Sequence, residues 1–142
     1  MIPHRGKIWG GVFAIILMAV FGSDLREPLT VLAADEPSTP VPSSNPVSGD
    51  PEAIQQGRKL YFMWCVQCHG RNADGVSRFG QYASDLRQFW RGYREFVTIV
   101  KDGRVEKQMP PWKEVLSEKE IAQIGAYLET LAIEGANWKD MK

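Results

Sequence analysis

The sequence predicts a small all-α domain of three or four helices. Three observations carry that reading: strong capping signals, apolar residues recurring at helical spacing, and no run of alternating β-branched residues that would make a strand. Asp50-Pro51-Glu52 opens the first helix with an N-cap aspartate, a first-turn proline and an acidic residue. That helix is expected to run to about Cys68, with Gly57, Leu60, Tyr61 and Trp64 on its packing face. A short helical turn is expected over residues 85–91. A further helix is expected over 93–101, with Phe96, Ile99 and Val100 inward and Gly103 as its stop. The last helix is the clearest: Ser117 and Glu120 form a capping box, and Ile121, Ile124, Leu128 and Leu131 follow at helical spacing. Gly57 and Gly125 are expected to permit a close crossing of the first and last helices.

A chain of 142 residues supports one domain, and the two ends reduce it further. Residues 1–34 read as an export signal. Arg5 and Lys7 precede an uncharged apolar run, 8–21, that is shorter than the ~20 residues needed to span a bilayer. The charged stretch 23–30 is long for a cleavage region, so an uncleaved membrane anchor is the alternative reading. Residues 35–50 are rich in Pro, Ser, Asp and Glu and read as a flexible linker, because almost nothing in them offsets the entropy of ordering. The folded domain is then 51–142. A core that small usually needs a disulfide, a metal or a cofactor. Export places the domain in the periplasm, tethered to the membrane only if the first segment is retained.

The whole chain has a formal net charge of zero, unevenly spread. Residues 58–107 hold ten basic against five acidic residues. A basic face there is suited to orienting an acidic partner. Nothing in the pattern points to nucleic acid.

Only two cysteines are present, both in Cys65-Val66-Gln67-Cys68-His69. Cys-x-x-Cys-His is the attachment signature of c-type haem. Cysteines three apart lie on one helical turn, so both sulfurs reach the vinyl groups of one porphyrin while the histidine reaches the iron. Two other chemistries use such a pair. A thioredoxin-like thiol centre needs a strand before the motif and a long helix after it; here a helix precedes and a loop-like stretch, 69–75, follows. A structural zinc site needs a fourth ligand, and no second cluster supplies one.

The histidines are His4 and His69, and His4 lies in the signal, so His69 is the proximal ligand by elimination. The distal ligand is then sought among Met63, Met109 and Met141. Met63 shares the attachment helix and cannot cross to the other haem face, and Met141 sits at the poorly held C-terminus. Met109 lies in Gln108-Met109-Pro110-Pro111-Trp112, where two prolines restrict the backbone that presents the thioether. Methionine opposite histidine stabilises ferrous iron and raises the reduction potential. Two protein ligands leave no open iron position for substrate, which points to electron transfer and away from an enzyme or a haem gas sensor.

Together these residues resemble class I cytochromes c, through Gly57-x-x-x-Tyr61, Cys65-x-x-Cys68-His69-Gly70, Met109-Pro110 and Ile124-Gly125-Ala126-Tyr127-Leu128. More narrowly, Ala73-Asp74-Gly75, Met109-Pro110-Pro111-Trp112 and the tail to Trp138 look like the XoxG-type cytochrome acceptors that serve lanthanide-dependent methanol dehydrogenase. The resemblance implies a class I cytochrome c fold in which the N- and C-terminal helices cross. It implies one covalent haem c on Cys65 and Cys68, with His69 and Met109 on the iron. It also implies a quinoprotein alcohol or methanol dehydrogenase as electron donor, and a terminal oxidase or another cytochrome as acceptor. Many class I members carry a proline after the haem motif whose carbonyl accepts the proximal histidine's proton. None occurs here before Pro110, and a carbonyl near residues 79–82 is expected to substitute. Trp112, Phe79 and Lys107 are expected around the exposed haem edge, with Arg104, Lys107 and Lys113 as docking charges.

Overall fold

The computed structural model describes residues 40–77, 80–81 and 83–140. Four α-helices, α1 (Pro51–Trp64), α2 (Val66–His69), α3 (Tyr93–Asp102) and α4 (Glu118–Glu129), carry the described fold. They are joined by 3-10 turns at Leu86–Gln88 and Val105–Lys107, and by a two-residue hairpin, β1 (Val76–Ser77) with β2 (Gly80–Gln81). The hairpin corrects the all-helical reading in one small respect. The export segment falls outside the described residues. Among those described, no helix is long and apolar enough to cross a membrane.

The caps act where the sequence puts them. Asp50 accepts hydrogen bonds from the Glu52 and Ala53 amides at 2.8 and 3.4 Å. Ser117 and Glu120 close a reciprocal capping box on α4. Gly103 ends α3 at φ 70°, a left-handed conformation that costs glycine little. The first helix does not run unbroken to Cys68: it ends at Trp64, and Cys65 sits at the junction with α2.

α1 crosses α4, and the crossing is backbone against backbone. A Cβ on Gly57 would lie 1.8 Å from the Gln123 carbonyl oxygen, so only glycine fits. Gly125 does not share in this contact, contrary to the sequence reading. Its open side faces Asn45 Nδ2, Phe96 and Tyr93, which lie on the strap and on α3. Tyr61, Ile121, Ile124 and Leu128 are the largest fully buried side chains, and Tyr61 meets Tyr127 at 5.5 Å between ring centroids.

The described part of the segment read as a linker, 40–50, is not free of the domain. Asn45 is 5% exposed, donates its Nδ2 to the Ala122 carbonyl at 2.9 Å, and accepts the Val47 amide at 3.2 Å. Val41 and Val47 pack on the core, and the Ser48 hydroxyl donates to the Glu129 carboxylate. A composition count misses this because one buried asparagine, bonded through both its amide nitrogen and its oxygen, and two valines suffice to dock the strap.

The tail after α4 closes the other side. Ile133 and Asn137 donate backbone amides to the Arg87 and Phe89 carbonyls at 3.1 and 2.8 Å. Trp138 packs on Phe89 and Phe96, with centroids 5.0 and 5.2 Å away.

Candidate haem centre

Cys65, His69 and Met109 line one pair of adjoining cavities, of ≈ 350 and ≈ 60 Å³, and share Trp112 between them. Cys68 joins them in the larger, outer cavity. The four residues singled out in the sequence are therefore brought together from α2, its junction with α1, and the loop after α3. Met63 is 65% exposed and lines neither cavity. The inner cavity is walled by side chains such as Leu86, Phe96, Val100, Ile124 and Leu128. The outer one opens past Arg104, Lys107 and Gln108.

The His69 ring is oriented by a backbone group. Its Nδ1–H donates to the Ser84 carbonyl at 3.1 Å. A carbonyl only accepts, so the proton is on Nδ1 and Nε2 keeps its lone pair. Burial pushes the imidazole below its usual range, against a smaller opposing effect of the Ser84 bond, and so favours the neutral, ligating form. The acceptor is thus Ser84, two residues beyond the stretch the sequence reading favoured. The loop is brought back by the Ala83 amide on Gly75 and the Leu86 amide on Ala73, at 3.3 and 2.8 Å. Such a closure is tertiary and leaves no local sequence signal.

Met109 is held by a closed loop. Arg104 and Met109 exchange both backbone hydrogen bonds, at 2.8 and 3.0 Å. Gln108 turns the chain at φ 63°, and the Trp112 amide anchors the far end to the Val100 carbonyl at 3.1 Å. Gly103 lies under this loop: a Cβ there would come within 2.6 Å of Pro110 C and Pro111 N. Glycine at 103 therefore sets both the end of α3 and the position of Met109, a second role that sequence reasoning did not assign. Trp64 and Trp112 meet at the mouth with centroids 5.6 Å apart.

No disulfide joins Cys65 and Cys68. Burial, with Cys68 adding to it, pushes the Cys65 thiol up to about 12. A redox-active thiol needs the opposite shift, and α1 leads directly into the motif where a thioredoxin-like centre needs a strand. Among the described residues no group of three His, Cys, Asp or Glu side chains converges as ligands for a metal ion. Haem c fits instead. Cys65, a neutral imidazole and a thioether border the apolar inner cavity, Cys68 joins them at the outer one, and among the described residues the buried Trp138 Nε1 beside the inner cavity has no acceptor.

Comparison with known proteins agrees. The family model for cytochrome c oxidase, cbb3-type, subunit III matches residues 52–128. The chain is 36% identical over 120 residues to the quinohemoprotein alcohol dehydrogenase ADH-IIG of Pseudomonas putida, covering 81% of this chain and 15% of that protein. It is 33% identical to quinohemoprotein alcohol dehydrogenase ADH IIB of the same organism, covering 84% of this chain and 19% of that one. The chain thus spans less than a fifth of either relative. The crystal structure of cytochrome CL from Methylophaga aminisulfidivorans superposes with a TM-score of 0.52 at 24% identity, over 63% of this chain and 59% of that one. The slot that gathers Cys65, Cys68, His69 and Met109, the crossed α1 and α4, and the family match to most of the described domain agree: this chain belongs to the cytochrome c oxidase, cbb3-type, subunit III family, as an electron-transfer protein of class I cytochrome c fold that carries covalent haem c.

Proposed function

We propose that this chain is a periplasmic mono-haem electron carrier, reduced by a quinoprotein alcohol or methanol dehydrogenase and oxidised by a terminal oxidase or another cytochrome. Cys65 and Cys68 form the thioethers in this reading, and His69 and Met109 are the axial iron ligands. The observation that supports it most is that His69 and Met109, from separate elements, line the same two cavities.

Haem c, when bound, supplies a one-electron iron couple. The chain's own residues set how that couple is used. The Ser84 carbonyl holds the Nδ1 proton and orients the imidazole. The Arg104–Met109 backbone pair fixes the thioether's loop, and the apolar inner wall excludes water. Both ligand positions come from protein, so the site offers no place for substrate. At the mouth, Arg104 and Lys107 beside Trp64 and Trp112 combine charge with aromatic surface, which suits a brief, charge-guided encounter. Likeness to two quinohemoprotein alcohol dehydrogenases supports a dehydrogenase donor.

The test mixes the oxidised, haem-loaded protein with a lanthanide-dependent methanol dehydrogenase and methanol, and follows the haem spectrum. Fast, saturable reduction is expected. A normal His–Met spectrum with no reduction would retain the carrier and remove this donor.

A further inference from the structure

A groove of ≈ 410 Å³ lies between α1, the loop after α2 and the tail after α4, and shares no lining residue with the haem cavities. Its rim carries Arg58, Arg71 and Arg87. The Arg58 and Arg71 guanidinium carbons lie 5.1 and 5.7 Å from the centroid of the same Phe62 ring. Two like charges are thus held at one ring, and among the described residues neither has a carboxylate within ion-pair distance. Arg87 is fixed differently, by a two-pronged contact with Asp85 at 3.0 and 2.8 Å. The floor is apolar, made by Phe62, Tyr127 and Leu131, and Ile133 stands 42% exposed at the edge.

We propose that this groove docks an acidic segment of a partner protein, with carboxylates on Arg58 and Arg71 and an apolar side chain against the floor. Guanidinium forks match carboxylates with two parallel hydrogen bonds. Stacking on Phe62 holds the forks in place before binding, so less side-chain freedom is lost when the partner arrives. The apolar floor selects a polypeptide over a free inorganic anion, which would leave it uncovered. The groove shares no lining residue with the mouth at Arg104 and Lys107, so it is a holding site distinct from the site of electron exchange. This inference does not depend on which protein donates the electrons.

The test uses the full haem-loaded chain in its reduced form, followed by nuclear magnetic resonance. The probe is a blocked peptide, Glu-Leu-Glu-Glu, with Gln-Leu-Gln-Gln and inorganic phosphate as controls. Saturable shifts of the Phe62 ring and of the Arg58 and Arg71 amides are expected with the acidic peptide alone, weakening as salt is added. Arg58→Gln and Arg71→Gln should each weaken binding about tenfold, the worth of one charge-assisted hydrogen bond. Lys119→Gln, on α4 and lining neither the groove nor the haem cavities, should leave binding unchanged, and an unaltered haem spectrum would show that each variant is folded. Shifts centred on Lys107, an equal response to either control, or no saturable shift would each overturn the proposal.

Discussion

The Tyr61 hydroxyl donates a 2.6 Å hydrogen bond to the Gly70 carbonyl, tying the middle of α1 to the residue that follows His69. Tyr61 is fully buried, and burial, helped by Cys65, drives its phenol well above the usual range, so the group is a fixed neutral donor. Replacing it with phenylalanine keeps the ring but strands a buried carbonyl. Tyr61→Phe should therefore cost about 1–3 kcal/mol, measured by denaturant unfolding of the haem-loaded protein. A loss below about 0.5 kcal/mol, within the usual range for surface changes, would show that water or another donor takes over.

Gly57 is the tightest point of the helix crossing. Its Cβ would meet the Gln123 backbone, which has no rotamer by which to yield. Gly57→Ala should force α1 and α4 apart and cost upwards of ~3 kcal/mol, the high end for overpacking. Gly125→Ala meets the ends of side chains and should cost less. Equal melting temperatures for the two variants would contradict this account of the crossing.

How much of this was legible depended on whether the signal was local. Asp50, Gly103 and the Ser117–Glu120 box mark helix ends in their own sequence, so α1, α3 and α4 start or stop where these residues predict. The cysteine pair and its histidine are contiguous, and Met109 stands out by the two prolines that follow it and by elimination. The structure then gathers these four side chains at one cavity. What escaped is what long-range packing decides. Ser84 reaches His69 because the Ala83 and Leu86 amides on either side of it bond back to Gly75 and to Ala73, a buried residue at φ 57°. Gly125 faces α3 because of how α4 is rotated, and spacing alone does not give that rotation. Asn45 is hidden in a Pro/Ser run. The valines at 41 and 47 on either side of it are the available signal.

The Met109 loop yields a prediction that separates ligation from positioning. Met109→Ala should lower the reduction potential and abolish the spectrum of methionine-ligated iron, because thioether ligation favours the ferrous state. Gly103→Ala leaves the thioether in place but presses on Pro110 and Pro111, so it should weaken ligation partially. A spectrum unchanged in Met109→Ala would remove Met109 as the distal ligand.

Alkaline stability should report on Tyr93. Its phenol, 3% exposed, is pushed up to about 12, mainly by burial and then by Glu129 and Glu118. The folded state therefore keeps a proton that the unfolded chain releases near pH 10. Stability from this group is complete below about pH 10 and is lost as pH rises towards about 12, with a limiting slope of about 1.4 kcal/mol per pH unit. Tyr93→Phe has no such proton, so the wild type should lose stability relative to it over that window. Parallel curves from pH 9 to 12 would show that Tyr93 ionises alike in both states.

The last prediction concerns the mouth of the haem cavity, where Arg104 and Lys107 stand beside Met109 and Lys113 follows Trp112. Their attraction to an acidic partner acts over the Debye length, so it governs encounter rate more than affinity. Reversing Lys107 and Lys113 to glutamate should slow reduction by the proposed dehydrogenase donor at low salt and leave the haem spectrum unchanged. The difference should shrink as ionic strength rises, because screening weakens attraction in the wild type and repulsion in the variant. Slowing that persists unchanged at high salt would instead mean that these lysines touch the partner directly in the docked complex. An unchanged rate at low salt would move docking to another face of the molecule.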